Sequence, residues 1–169
     1  MKLSELNALP AEHARAALER CCGSSRWVEA MVRARPFADR GALVSAAERA
    51  SIELEREDWL EAFSHHPRIG DAPALSQRFA TTSAWAGDEQ RGAAAASEQT
   101  LEALARRNQA YEQRFGYIFI VCATDKRAVE MLTLLEARLP NDPALELDVA
   151  AAEQLKITRL RLDKLLEEQ

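Results

Sequence analysis

Apolar residues recur at intervals of three and four along most of this chain, which is the period of a helix that buries one face. The first such segment spans about 10–22, with a proline in its first turn and Gly23 as its stop. The second begins after Ser24 or Ser25, either of which can cap it, and ends before Pro36. The pattern therefore predicts helices that are separated by short turns.

Two further helices are predicted before a change in pattern. The first spans about 39–54, with an aspartate as its cap, and the second is a short helix over 57–64. Pro67 disfavours helical geometry at His66, so the chain should turn there and continue as an irregular loop over 66–73. The apolar faces of these helices comprise Leu43, Ala46, Ala47, Ala50 and Leu54 in the first and Trp59, Leu60 and Phe63 in the second.

The second half of the chain contains a long helical pattern and one apolar run of a different kind. The helical pattern extends from about 87 to 115, with Gly116 as its stop. The run 117–123 has the composition of a buried strand. Because no partner strand is evident and a lone strand cannot satisfy its backbone hydrogen bonds, we expect a buried extended segment or a tight helical turn.

Two helices, over about 126–139 and 143–166, complete the chain, and Asp142 can cap the second of them with Pro143 at its first position. The expected fold class is all-α, as a compact single domain over 1–169 with about seven to nine helices. The apolar side of the last helix is expected to consist of Leu155, Leu162 and Leu166.

Composition and charge narrow the class of protein. Alanine, leucine, glutamate and arginine dominate, and these residues favour helix. A formal net charge of −5, with basic residues interleaved among acidic ones, argues against nucleic-acid binding. Apolar stretches are too short to span a bilayer, and the first residues lack the apolar core of a signal peptide. We therefore expect a cytoplasmic protein with no nucleic-acid or membrane partner.

Cysteines and histidines give little support for disulfides or a metal site. The cysteines, adjacent at 21–22 and single at Cys122, form no Cys-x-x-Cys pair and are expected to be buried reduced thiols. The neighbouring His65 and His66 could bind a metal, but adjacent residues rarely ligate one ion together, and the third histidine is His13. We expect no metal.

Three positions have side chains suited to acid–base chemistry or anion binding, although each also has an ordinary explanation. His66 follows the end of a predicted helix and precedes a proline. It is either a proton-transfer residue or a partly exposed loop histidine. Glu89 and Gln90 open the long helix, where the helix dipole alone explains a carboxylate but exposed N–H groups also bind anions. Arg161 is expected near the edge of the buried face, where it either clamps a carboxylate or forms a surface salt bridge.

Four ordered motifs together are more specific than any one of these positions. They are His-Pro-Arg-Ile-Gly-Asp at 66–71, Glu-Gln at 89–90, the run 114–123, and Lys156-Ile157 with Arg161-Leu162. With Ser25-Arg26-Trp27 and Arg35-Pro36-Phe37, they extend over nearly the whole chain. In these motifs the sequence resembles the 2-oxo-4-hydroxy-4-carboxy-5-ureidoimidazoline (OHCU) decarboxylase family.

The resemblance implies an all-α homodimer that needs no cofactor and no metal. It implies that the small-molecule substrate OHCU is decarboxylated to (S)-allantoin and CO₂ in urate catabolism, a branch of purine metabolism, with His66 as proton donor. Glu89 and Arg161 complete the implied catalytic set. The implied substrate-binding residues are Pro67, Ala86, Gly87, Asp88, Gln90, Phe119, Ile120, Val121, Cys122 and Ala123.

The sequence departs from the family pattern at two positions, of which the first keeps other functions open. The motif serine is replaced by Ala86, so Ser83 or a backbone amide would have to compensate, and Asp125 stands where relatives often have glycine. Ala86 favours the alternative of a helical binding module that has lost catalysis. A third alternative, a histidine-dependent metal hydrolase, would be inhibited by chelators.

Overall fold

A computed structural model describes residues 1–67, 98–124 and 126–167, and within these ranges it contains eight α-helices and no β-strand. The predicted all-α class is confirmed. In chain order the helices are α1 Leu3–Ala8, α2 Ala11–Glu19, α3 Ser25–Arg33, α4 Arg40–Ile52, α5 Arg56–Ser64, α6 Glu98–Phe115, α7 Ala128–Arg138 and α8 Pro143–Glu167.

Side-chain caps begin three of these helices where the sequence predicts them. The Ser24 hydroxyl accepts a hydrogen bond from the backbone N–H of Trp27 (3.3 Å), and the Asp39 carboxylate accepts one from that of Ala42 (2.8 Å). Asp142 caps α8 in the same way (2.9 Å). Because the first N–H groups of a helix have no partner within it, these oxygens fix the residue at which each helix begins.

The chain divides into two compact units, Met1–His65 with Gln154–Gln169, and His66–Glu153. The single-domain organisation over 1–169 therefore stays a prediction. In the first unit, α3 packs against α2, α4 and α5. Trp27 and Met31 lie on its buried face with no exposed surface, and the indole N–H of Trp27 donates to the carbonyl of Ala47 (3.1 Å).

In the second unit, α6 packs against α7, and Gly116 ends α6 with a positive φ of 79°. The run 117–123 then continues as a mostly buried segment that is neither helix nor strand, so its expected burial is confirmed. The predicted start of the long helix near 87 lies outside the described residues. Among the helices of the described ranges, none has both the length and the apolar character needed to cross a bilayer.

The buried side of α8 differs from the leucine pattern. Leu162 is buried as expected, but Leu155 and Leu166 are only partly buried. The residues that pack inward on this side include Gln154, Thr158, Ile157 and Leu165. Because two of these residues are polar, the leucine pattern alone does not reveal the buried side of the helix, which is rotated away from Leu155 and Leu166. At 100° per residue, Arg161 points between Ile157 and Gln154, and its side chain is half-buried.

Candidate active site

His66 leaves the end of α5, as the proline after it predicts. His65 is the C-cap residue of this helix, with φ −80° and ψ −4°, and its N–H donates to the carbonyl of Ala62 (3.3 Å). The chain bends at His66, and both His66 and Pro67 are half-buried. The backbone that carries the imidazole is therefore set by a helix terminus on one side and a proline on the other.

Arg161 is half-buried on α8 and reaches the end of α2, where its Nη1 lies 3.5 Å from the carbonyl oxygen of Arg20. Nearby, Cys22 is almost fully buried. Burial raises the pKa of its thiol to about 11, while hydrogen bonds from the Ser24 backbone and the Thr158 side chain, and then the Arg161 charge, oppose the shift. The guanidinium thus lies beside a thiol that remains neutral. The three cysteines are all buried, as predicted.

The segment 119–123, which the resemblance assigns to substrate binding, is held in place by side chains. Arg138 donates from Nη1 to the carbonyl of Ile120 (2.8 Å). The N–H of Cys122 donates to the Glu153 carboxylate (2.7 Å), and Nζ of Lys126 donates to the Cys122 carbonyl (2.8 Å). These contacts supply hydrogen-bond partners to backbone groups that no helix or sheet satisfies.

A buried charged network lies behind this segment. Nη2 of Arg138 lies 2.6 Å from a carboxylate oxygen of Glu146, and the Tyr111 hydroxyl donates to the same carboxylate. Asn141 donates to its other oxygen (2.7 Å), and the guanidinium lies 4.6 Å from the centre of the Phe119 ring. Burial, followed by the hydrogen bond to Glu146, raises the pKa of Tyr111, so this hydroxyl remains a donor.

Sequence reasoning missed this network, although the pattern contains a signal for it. Arg138 falls in helical register with Ala128, Met131 and Leu135, all of which are buried. A charged residue in register with an apolar face is expected to have a buried partner. The partner, Glu146, is in turn one helical turn before the buried Ala150.

The expected site residues are described only in part. Ala86, Gly87, Asp88, Glu89 and Gln90 lie outside the described ranges, as does Asp125. Of the rest, Arg161 belongs to the first unit, and His66, Pro67 and the segment 119–123 belong to the second. The convergence of His66, Glu89 and Arg161 on one pocket therefore stays a prediction.

Two open grooves lie apart from these residues. One lies between α3 and α4 and the other between α6 and α7, and neither is lined by an expected site residue. In the described part of the chain, no group of three or more His, Cys, Asp or Glu side chains is arranged to hold a metal ion.

The chain is similar to known proteins over most of its length. A family model described as OHCU decarboxylase matches residues 7–163. The uric acid degradation bifunctional protein TTL of Arabidopsis thaliana is 40% identical over 147 residues, which are 86% of this chain and 45% of that protein. An OHCU decarboxylase of Haloferax volcanii is 28% identical over 139 residues, 82% of this chain and 80% of that protein.

A solved structure is similar in both sequence and fold. It is the crystal structure of an OHCU decarboxylase in the presence of (S)-allantoin, with 38% identity and a TM-score of 0.75. The similarity covers 89% of this chain and 96% of the crystallised one.

Proposed function

The chain belongs to the OHCU decarboxylase family, and from this premise we propose that it converts OHCU to (S)-allantoin and CO₂ in urate breakdown. The observation that carries the proposal is the 38% identity to a crystallised OHCU decarboxylase over nearly all of that protein. The chain spans less than half of the Arabidopsis bifunctional relative, so the proposal covers this one activity only.

The reaction is one that amino-acid side chains can catalyse without a cofactor. The substrate has a carboxylate and a hydroxyl on one ring carbon, beside a C=N bond. When the bond to the carboxylate breaks, its electron pair forms a C=C bond, and the C=N electrons move to nitrogen, which takes a proton. The hydroxyl then loses its proton to become a carbonyl, and the neighbouring carbon gains one. Delivery of that last proton to one face sets the (S) configuration.

Four side chains divide these tasks in the proposed mechanism. His66 donates the proton, since an imidazole exchanges protons near neutral pH. Glu89 holds His66 in the required protonation state or bonds the hydroxyl and ureido groups, and Gln90 binds the ureido or ring amide. Arg161 holds the carboxylate or a carbonyl of the substrate. The half-buried positions of His66 and Arg161 support these roles, because partial burial strengthens electrostatic interactions.

The segment 119–123 binds the ring of the substrate in this proposal. Its fixed backbone supports the role, since polar groups already held in place lose little freedom when a ligand binds. The Ile120 carbonyl and both polar backbone groups of Cys122 are bonded to side chains, which hold the segment in place. Pro67 and the residues 86–88 complete the proposed binding surface.

A coupled assay tests the proposal. Urate, urate oxidase and hydroxyisourate hydrolase generate OHCU in solution, and circular dichroism follows the appearance of chiral allantoin. We expect the protein to accelerate the reaction above the spontaneous, racemic background, with EDTA-dialysed protein equally active. A rate equal to that without protein would favour a binding module, and loss of activity with EDTA would favour a metal enzyme.

The chain is also proposed to act as a cytoplasmic homodimer. This assignment is supported by the family resemblance. Light scattering after size exclusion tests it directly, because the chain mass is 18.8 kDa and a dimer would have twice that mass. A mass of one chain at micromolar concentration would contradict the dimer, and fractionation of cells tests the location.

A further inference from the structure

We propose that Gly23 is a positioning residue for His66, acting through the imidazole of His65. The inference rests on the proposed function in one respect, since it takes His66 to be catalytic. It concerns a residue that touches neither the substrate nor the reacting atoms. The missing side chain of Gly23 leaves the space in which the His65 ring lies.

The atoms nearest to the missing side chain of Gly23 all belong to His65. A Cβ placed on Gly23 would lie 2.3 Å from Cγ, 2.6 Å from Nδ1 and 2.7 Å from Cβ of His65. All three distances are shorter than real Cβ contacts, so any side chain at this position would displace His65. Gly23 does not have a positive φ, so the backbone conformation does not itself require glycine. The requirement therefore comes from the packing of the ring.

The turn that holds Gly23 is itself fixed. Its neighbours Cys22 and Ser24 are buried, and Ser24 caps α3. The Glu61 carboxylate on α5 accepts hydrogen bonds from the N–H (2.9 Å) and the hydroxyl (2.5 Å) of Ser25. The last turn of α5 is thus tied to the start of α3 by a carboxylate and by the ring of His65, one helical turn apart.

These contacts fix the point from which His66 leaves α5. His65 is the C-cap residue, and its carbonyl carbon is bonded directly to the nitrogen of His66. A displacement of His65 therefore moves the backbone of the proposed proton donor. Misplacement of a catalytic group by about 1 Å can lower a rate by about 10²-fold. The contact between Gly23 and the His65 ring should therefore affect turnover directly.

A double-mutant cycle of Gly23→Ala and His65→Gly tests the contact. Gly23→Ala pushes the ring away, and we expect kcat to fall by about 10–100-fold. His65→Gly removes the three atoms nearest to Gly23. The loss of this packing contact should lower kcat only a few-fold. Adding Gly23→Ala to His65→Gly should then cause little further loss, because the three atoms nearest the added Cβ are gone.

Gly41→Ala is the matched control for this cycle. Gly41 lies in α4, and an added Cβ would meet only an oxygen of Asp39, at 3.1 Å. We expect kcat to remain unchanged in this variant. His65→Ala is a second control, since it removes the ring without adding the flexibility of glycine and should lower kcat as His65→Gly does.

Histidine NMR gives a readout that does not depend on activity. The chain has three histidines, so ring signals can be assigned from a few variants. We expect Gly23→Ala to shift the signals of His65 and His66 and to leave those of exposed His13 in place. If the wild type lacks decarboxylase activity but these shifts occur, the proposed function fails and the positioning contact stands.

The cycle has clear contradicting results. Gly23→Ala with wild-type kcat and unshifted His66 signals would overturn the inference. An equal loss of kcat in both the wild-type and the His65→Gly backgrounds would also overturn it, because the effect would not pass through His65. Should Gly23→Ala alone fail to fold, His65→Gly and His65→Ala still decide, and wild-type kcat with unshifted His66 signals in both would reject it.

Discussion

The two compact units bury different kinds of polar side chain. Among the described residues, the buried Ser, Thr and Gln side chains of the first unit are neutral, whereas the second unit also buries the charged pair Arg138 and Glu146. In the first unit, ion pairs such as Arg40 with Asp163 (2.6 Å) lie on the surface. The buried neutral groups of the first unit are Ser24, Ser51, Gln154 and Thr158.

The difference follows from how each unit satisfies its backbone. In the first unit, helices bond their own peptide groups, and buried neutral donors bond helix carbonyls, as the Ser51 hydroxyl (2.8 Å) and the Trp27 indole (3.1 Å) bond the carbonyl of Ala47. The second unit contains the buried segment 117–123, whose carbonyls have no helical partner. Arg138 supplies a donor to Ile120, and its charge then requires Glu146. Irregular buried backbone is thus the reason for the buried charge.

Arg138→Met tests this difference most strongly. The substitution removes the donor to the segment and leaves the Glu146 carboxylate buried without its counter-charge. We expect the free energy of unfolding to fall by about 3–5 kcal/mol, measured by urea denaturation. Arg40→Met, which breaks an exposed ion pair of the first unit, should cost less than about 1 kcal/mol.

A second variant separates the network from simple loss of packing. Arg138→Met combined with Glu146→Gln removes both charges, and it should be more stable than Arg138→Met alone. Equal losses for Arg138→Met and Arg40→Met would remove the proposed contrast between the units.

Cys22 gives the first unit a pH dependence that follows from burying a neutral group. Its pKa is raised to about 11 in the fold, so the folded state retains a proton that the unfolded chain loses near the ordinary value of 9.0. The contribution to stability is complete below pH 9 and is lost as pH rises to about 11. Two pKa units correspond to about 3 kcal/mol.

Cys22→Ala is expected to lose less stability than the wild type between pH 9 and 11, whatever its stability at neutral pH. Urea denaturation at several pH values measures the difference in slope. Parallel pH profiles for the two proteins would show that this thiol does not titrate in the unfolding reaction.

Gly116→Ala probes the entry to the extended segment and has the smallest expected effect. Gly116 has φ 79°, and no atom lies within 4 Å of an added Cβ, so the cost is purely conformational. We expect a loss of about 1–2 kcal/mol in the free energy of unfolding. Gly41→Ala in the first unit, on a helix, should be neutral or stabilising by up to about 1 kcal/mol. A gain in stability for Gly116→Ala would contradict the assigned backbone conformation.

Much of the fold follows from local rules that the sequence displays. The caps at Ser24, Asp39 and Asp142 and the stop at Gly116 depend on neighbouring residues only, and each was predicted correctly. The helix α1, with six residues, is too short for helical periodicity to reveal.

Tertiary partners account for what the sequence could not predict. The buried side of α8 was placed wrongly because Gln154 and Thr158 are buried beside each other and bond one another (3.2 Å). The Arg138–Glu146 pair depends in the same way on a contact between two helices. Local sequence offers His66, Glu89 and Arg161 only as candidates, and the motif resemblance assigns them to catalysis; Glu89 lies outside the described residues.

The central claim is that His66 transfers the proton in decarboxylation, and the turnover of His66→Asn tests it most directly. His13→Asn, at an exposed position on α2, is the matched control. With far-ultraviolet circular dichroism unchanged, we expect kcat for His66→Asn to fall by at least about 10²-fold and that of the control to remain at the wild-type value. A folded His66→Asn protein that forms (S)-allantoin at close to the wild-type rate would contradict the account.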